Sequence, residues 1–446
     1  MTVKKLAWLA VGLFLLIISP SASNAAGVKT YNNPVQVLVY KGTSLTVAVE
    51  GNYQIVNKET LTITPLPSGT SLTFGPSSST MFVTYNGKTD FSSTGFTIQE
   101  TIGTAPLSLV KVNRTRYRGS VDIRLQSNAL YAVNILDMED YLKGVVPSEM
   151  PASWPLEALK AQAIAARNYA YKHKTSLTTN PNTQTYKGFD GESPRSNAAV
   201  DATRGLYLKY NGSVVETYYH STSGGKTANV SDVWNSSQTA YPYLASVDDP
   251  YESSPYSRWS FTFSPTVLLR SFGFTDPSVV LYDVSIAKTG ANGEVGAVTI
   301  ETSAGEKTVK GNETTIRKLF PLDGNQFYGI LPSNWFDIQV QKNGPSVSIQ
   351  TASGNIAASS LSSYSVQTGS GTVSLAGVEG IKVQTTDGIV PLSASPSGVR
   401  SITVTGKGWG HRIGMSQYGA KAFAERGWTA EQILEHYFRG AEVSFE

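Results

Sequence analysis

The chain has 446 residues, enough for two or three domains and a sizeable core, and its 36 basic and 33 acidic residues leave a formal net charge of only +3. So even a balance, with no basic run, speaks against nucleic acid as a partner. Cysteine is absent, which excludes disulfides, thiolate metal sites and cysteine nucleophiles.

At the N-terminus Lys4 and Lys5 precede the apolar run LAWLAVGLFLLII and a small-residue stretch ending in Ser23, Asn24 and Ala25. That order predicts a secretory signal over residues 1–25 and an exported protein, secreted or held in the cell wall. A retained segment would instead be an anchor, and only then would a membrane be a partner. Residues 26–110 are rich in Thr, Ser, Val, Tyr and Gly and alternate in VQVLVY and LTVAVE. They predict a small antiparallel β domain without a cluster of ionisable groups.

Further strands, VDIRL and LYAVNIL, lead to the most informative stretch, Glu139–Ala170. Pro147 and Pro151 bracket Glu149 there. Each proline disfavours helix in the residue before it, so Glu149 is expected on a stiff turn. A helix starting near Ser153–Pro155 should follow, with Glu157 in its first turn and Leu156, Leu159, Ala163, Ala166 and Ala170 on one face. Lys160 and Arg167 fall beside that stripe; they point either towards Glu149 or a ligand, or outward as ordinary solvated charges. Taken alone, Glu149 suits a cap or a salt bridge as well as a general acid on a rigid support.

Thr175–Arg204 has few apolar residues and is expected to be a long surface excursion. Gly205–Tyr219 reads as a hairpin turning at Asn211 and Gly212. The segment HSTSGGKT then brings His220, Ser223, Gly224, Gly225 and Lys226 to a strand end, where paired glycines should aim backbone N–H groups at a ligand. Residues up to 338 add strands and a helix near Pro265–Phe272, and 339–400 form a charge-poor inserted β segment. In the last part, 401–446, GKGWGHRIGMSQYGA sets five glycines around Trp409, His411, Ser416, Gln417 and Tyr418. Aromatic faces stack on sugars and hydroxyls and amides bond to their edges, so this loop suits saccharide. Thr429 and Gln432 predict a capping box on the final helix. The fold class is α+β, predominantly β with a few packed helices: a core of 111–338 and 401–446, interrupted by 339–400.

Together YLKGVVPSEMPASWPLEALKAQAIAAR, HSTSGGKT and GKGWGHRIGMSQYGA followed by ILEHYF resemble, in this order, the family of stage II sporulation protein D (SpoIID) and the amidase enhancer LytB. The resemblance runs from about Lys111 to Phe445 and implies peptidoglycan glycan strands as the ligand. In its sporulation branch it implies a lytic transglycosylase acting on peptide-stripped strands, with the family's catalytic Glu mapped onto Glu149. That residue would act as general acid and then base, leaving 1,6-anhydro-muramoyl ends, and burial should raise its pKa. Lys160, Arg167, His220, Ser223, Gly224, Gly225, Lys226, His411, Ser416, Gln417 and Tyr418 then become candidate substrate contacts or their supports. The enhancer branch implies instead a non-enzymatic glycan-binding modifier partnered with an N-acetylmuramoyl-L-alanine amidase. Some sporulation members hold zinc through His and Cys near the second segment; this chain offers His220 and no Cys, so neither metal nor cofactor is expected. Arg412 stands where members often carry Gly, and is expected to meet a carboxylate or phosphate of the wall.

Overall fold

The computed structural model describes residues 27–446 except 182, 235, 325, 344–346, 352–353, 359–363, 376–381, 386–387 and 392–397. The expected signal segment lies outside the described residues. The architecture is α+β and mostly β, and the chain separates into two compact units.

The first unit gathers Lys41–Asn113 and Gly119–Ala132, so it extends past the boundary at 110 expected from composition. Antiparallel strands Ile63–Leu66, Tyr53–Asn57, Phe96–Glu100 and Ser120–Gln126 pair in that order. Leu109–Val112, Leu45–Glu50, Ser71–Ser77, Thr80–Tyr85 and Lys88–Ser92 form a second series. Alternation places Leu45, Val47, Val49, Leu72 and Phe74 inward, and Phe74 meets Phe96 at 5.9 Å between ring centroids.

The second unit holds Val133–Glu446 with two short earlier segments. Its first helix, α1 (Met138–Glu149), begins where Asp137 accepts a hydrogen bond from the Glu139 N–H, with Glu139 and Asp140 in the first turn. Pro147 lies inside α1, and Glu149 is the last helical residue. The expectation of a turn is therefore corrected. A proline this close to a C-terminus removes one N–H bond but leaves the preceding turns intact. Extended Met150 and then Pro151 end the helix.

Helix α2 (Leu156–Lys172) starts after Pro155 with no side-chain cap. It is buried on most sides, not along one stripe: Ala158, Ala161, Ala163, Ala165, Ala166 and Ala170 are all inaccessible, whereas Leu156 is exposed. Small side chains let several elements approach its backbone at once. Around it lie α1, α3 (Pro194–Ala202), α7 (Gln417–Ala424), α8 (Ala430–Tyr437) and strand Leu206–Tyr210. The Thr429–Gln432 capping box forms as expected. So does the Asn211–Gly212 turn, with φ +50° and +76°.

Two polar side chains lock this layer. Asn168 donates to the Leu208 and Val215 carbonyls and accepts from the Leu208 N–H, supplying a strand's bonds from a helix. Arg167 is fully buried and forks onto Glu139 at 2.9 and 2.8 Å, with further bonds to the Val200 and Leu206 carbonyls and the Thr203 hydroxyl. Thr175–Arg204 is likewise no surface excursion. It folds back so that Gln184 and Tyr186 are buried, and Gly144 of α1 admits Tyr186, whose ring would stand 2.6 Å from any added Cβ.

A second core surrounds Trp259, Phe263, Leu268, Ile316, Phe320, Phe336 and Ile402. Antiparallel strands Arg258–Phe263, Val399–Lys407 and Phe336–Lys342 form one sheet, and Leu281–Lys288, Val295–Thr302 and Gly305–Lys310 another. Helices α5 (Pro265–Ser271) and α6 (Glu313–Lys318) cover them, α6 capped by Asn312. The inserted segment leaves and re-enters through the paired strands Phe336–Lys342 and Val399–Lys407, and its described residues form three hairpins.

The Arg167 pair sets a stability prediction. Arg167→Met leaves Glu139 buried without its counter-charge and should cost roughly 3–5 kcal/mol in urea unfolding. Lys160→Met breaks a half-exposed pair with Glu157 and should cost no more than about 1 kcal/mol. Equal midpoints for the two variants would contradict this account.

Candidate active site

Segments far apart in sequence close around a cavity of about 870 Å³. The end of α1 contributes Ser148 and Glu149, and the connection to α2 contributes Pro151 and Trp154. Strand Tyr219–His220 pairs in parallel with Met415–Ser416, and Thr222 bridges Trp409, so the second and third motifs form one hydrogen-bonded wall. Gly410 at φ +109° lets that wall close, since a Cβ there would sit 2.8 Å from the His220 Cβ. Helix α6 adds Glu313 and Arg317 to the lining.

Aromatic rings dominate the lining. Trp154 stands edge-on to Tyr418 at 4.8 Å, Tyr256 to Trp409 at 4.7 Å, and Tyr218 to Trp234, the last residue of α4 (Val230–Trp234), at 4.6 Å. The rings brace one another while leaving the cavity mostly uncharged.

Glu149 is partly buried, and one carboxylate oxygen accepts from the Thr185 N–H. Its backbone carbonyl accepts from Gln417 Nε2 at 3.0 Å, and the same amide reaches Gln162 Oε1 at 3.3 Å. Below, Tyr141 and Tyr219 hold Gln184 between their hydroxyls. Burial raises the Glu149 carboxyl above its ordinary range, against the opposing pull of the Thr185 N–H and the charge of Lys187. A helix C-terminus is also a poor place for negative charge, which favours the protonated form further. Both imidazoles are kept neutral by burial: His220 is pushed well below its usual value and His411 down to about 4. Burial works to raise the Glu313 carboxyl, but Arg317 and Thr314 outweigh it and hold it low.

Of the residues expected from sequence, Glu149, His220, His411, Gln417 and Tyr418 line the cavity. The others do not. Lys160 pairs with Glu157 at 2.7 Å and Arg167 is spent on Glu139. The Ser223 and Gly224 N–H groups donate to Glu252 and the Gly225 N–H to Ser223 Oγ, so these backbone donors are taken up within the protein. Lys226 faces Asp248. Ser416 caps α7 through the Gly419 N–H and donates to Glu252 at 2.7 Å. Arg412 is fully buried on Glu294 at 3.1 Å, over the Trp335 ring, with bonds to the Ser223 and Lys226 carbonyls; it meets no wall anion. Its φ of +64° accounts for a position that favours glycine.

Glu252, Glu313, Arg317, Thr185 and Tyr256 carry no local sequence signal, because their roles arise only when distant segments meet. His220 Nε2 is buried without a partner, and His411 lies 5.6 Å away between ring centroids. Among the described residues, however, no group of three His, Cys, Asp or Glu gathers that could hold a metal. Two neutral imidazoles without a third donor do not make a zinc site.

A family model described as Stage II sporulation protein (SpoIID) matches residues 126–210. The chain is similar to the amidase enhancer of Bacillus subtilis (strain 168), with 34% identity over 311 residues, 68% of this chain and 40% of that protein. It is also similar to the stage II sporulation protein D of the same organism, 28% identical over 367 residues covering 77% and 84%. That of Bacillus amyloliquefaciens is 27% identical over 376 residues, covering 79% and 84%. The chain thus spans well under half the length of the amidase enhancer it matches.

The acids under the second motif yield a test of the electrostatics. Burial, with Glu252 beside it, pushes Asp249 up to about 7 against its bond from Ser223. The folded state then keeps a proton that the unfolded chain releases, so this stability is full below about 4 and is lost as pH rises towards about 7. Asp249→Asn should therefore gain stability over wild type across that interval in thermal melts. A constant difference between the two proteins over the interval would contradict the assignment.

Proposed function

The chain belongs to the stage II sporulation protein D and amidase enhancer family, and from that premise we infer that it is an exported lytic transglycosylase that cleaves peptidoglycan glycan strands in cell-wall remodelling or sporulation. The observation that carries this is Glu149: a carboxyl favoured in its protonated form by burial, on the wall of an aromatic-lined cavity.

In this reading the glycan lies along the rings and Glu149 donates its proton to the glycosidic oxygen after muramic acid as the C1–O bond breaks. Charge develops at C1 with oxocarbenium character. The sugar's own 6-hydroxyl attacks C1 and its proton passes to the Glu149 carboxylate, which restores the acid and leaves a 1,6-anhydro end. Neither a second carboxylate nor water is consumed. Glu313 also lines the cavity, but its pairing with Arg317 at 2.7 Å makes it a poor nucleophile or base. Neutral His220 and His411 and the amide of Gln417 suit the hydroxyl and N-acetyl edges of sugars.

A second reading rests on the similarity to the amidase enhancer: the same cavity would hold glycan without cutting it, for the benefit of an N-acetylmuramoyl-L-alanine amidase. Incubation with peptide-free glycan strands separates the two. Wild type should release anhydro-muramoyl ends, and Glu149→Gln should lower the rate by about 100- to 10,000-fold. Activity should fall as pH rises through the raised pKa of Glu149, because the acid form is consumed. Glycan binding without product from wild type would favour the enhancer.

A further inference from the structure

Phe327 and Tyr328 lie side by side in the left-handed region, at φ +48° and +60°, and Gly329 follows at φ +74°. For a residue with a Cβ that region is sparsely populated and costs free energy, and a run of such residues is rarer still. Among the described residues, most other non-glycine positions of this kind are Asn or Ser, whose short polar side chains suit turns. Two bulky aromatics suit them least. A turn alone would be served by Gly or Asn at both positions, so the strain is explained by what the two rings do.

The Phe327 ring works inside the protein. It stands perpendicular to Trp409 at 5.1 Å and to Tyr256 at 5.8 Å, and lies 6.0 Å from Phe261 between ring centroids. The Leu322 N–H closes the loop onto the Gly329 carbonyl at 3.0 Å. These contacts hold the strained backbone in place. Tyr328 is turned the other way: 70% of it is exposed, yet it lines the cavity with its ring 6.5 Å from that of Trp409. A ring left in water gains little from folding, so the strain at this position is not offset within the fold.

A tyrosine ring held at the exposed edge of an aromatic cavity is a stacking platform, and a pyranose ring presents an apolar C–H face to such a platform. Resting on the glycan reading above, we propose that Tyr328 is a further binding residue, which stacks on a sugar ring of the strand at the cavity edge while Phe327 anchors its backbone. Because the backbone fixes the ring's direction before ligand arrives, binding need not order it.

The test sets stability against binding, in the Glu149→Gln protein so that no ligand is consumed. Tyr328→Asn keeps a residue suited to positive φ and removes the ring. Its thermal midpoint should not fall, whereas its affinity for peptide-free glycan strands, read by calorimetry, should drop about five- to tenfold. Tyr328→Phe should stay within about twofold of the parent, since stacking needs the ring and not the hydroxyl. A lowered thermal midpoint for Tyr328→Asn would make the residue structural and overturn the proposal. Unchanged affinity would overturn it too, and would leave the glycan reading standing. Failure of the Glu149→Gln parent to bind the strands overturns the two together.

Discussion

The candidate site depends on one partly buried carboxyl at the end of a helix fixed by packing and hydrogen bonds. Glu149 takes its place from α1, whose start is capped by Asp137 and whose Glu139 is bolted by Arg167 to the central helix. Its far end is secured from two other directions, by the Thr185 N–H on the carboxylate and by Gln417 on the backbone carbonyl. With its carboxylate bonded to a backbone N–H and its main chain held, the side chain stays where burial raises its pKa. The buried ion pair near the first turn of α1 thus supports the chemistry proposed at its last residue.

The cavity divides its polar groups into two kinds. Glu149, His220 and His411 are biased by burial towards their uncharged forms, whereas Glu313 and Arg317 keep opposite charges by facing each other. Braced tryptophan and tyrosine rings make up much of the remaining lining. Arg412 and Glu294, equally buried, lie behind the wall and work as its scaffold.

What could be read in the sequence was whatever short-range rules determine. The capping box at Thr429, the turn at Asn211–Gly212 and the helix near Pro265 depend on neighbours within a few residues, and all three form. The convergence of the three motifs was likewise legible, through family resemblance and not through spacing. Individual roles within them were not. Arg167 was assigned to the substrate although its partner Glu139 lies on the preceding helix, and Gly224 looked like a ligand cradle because Glu252 is remote in sequence. Pro147 was misleading for a different reason: its penalty is paid only in lost bonds, and near a helix end there are few to lose.

The protonation of Glu149 can be observed directly by following its side-chain carboxyl carbon by NMR through a pH titration, with Glu149→Gln identifying the resonance. A midpoint clearly above the ordinary glutamate value of about 4.3 is the result this account predicts. A carboxyl that ionises at or below that value would contradict it, because no resident proton would then be available for a glycosidic oxygen at neutral pH.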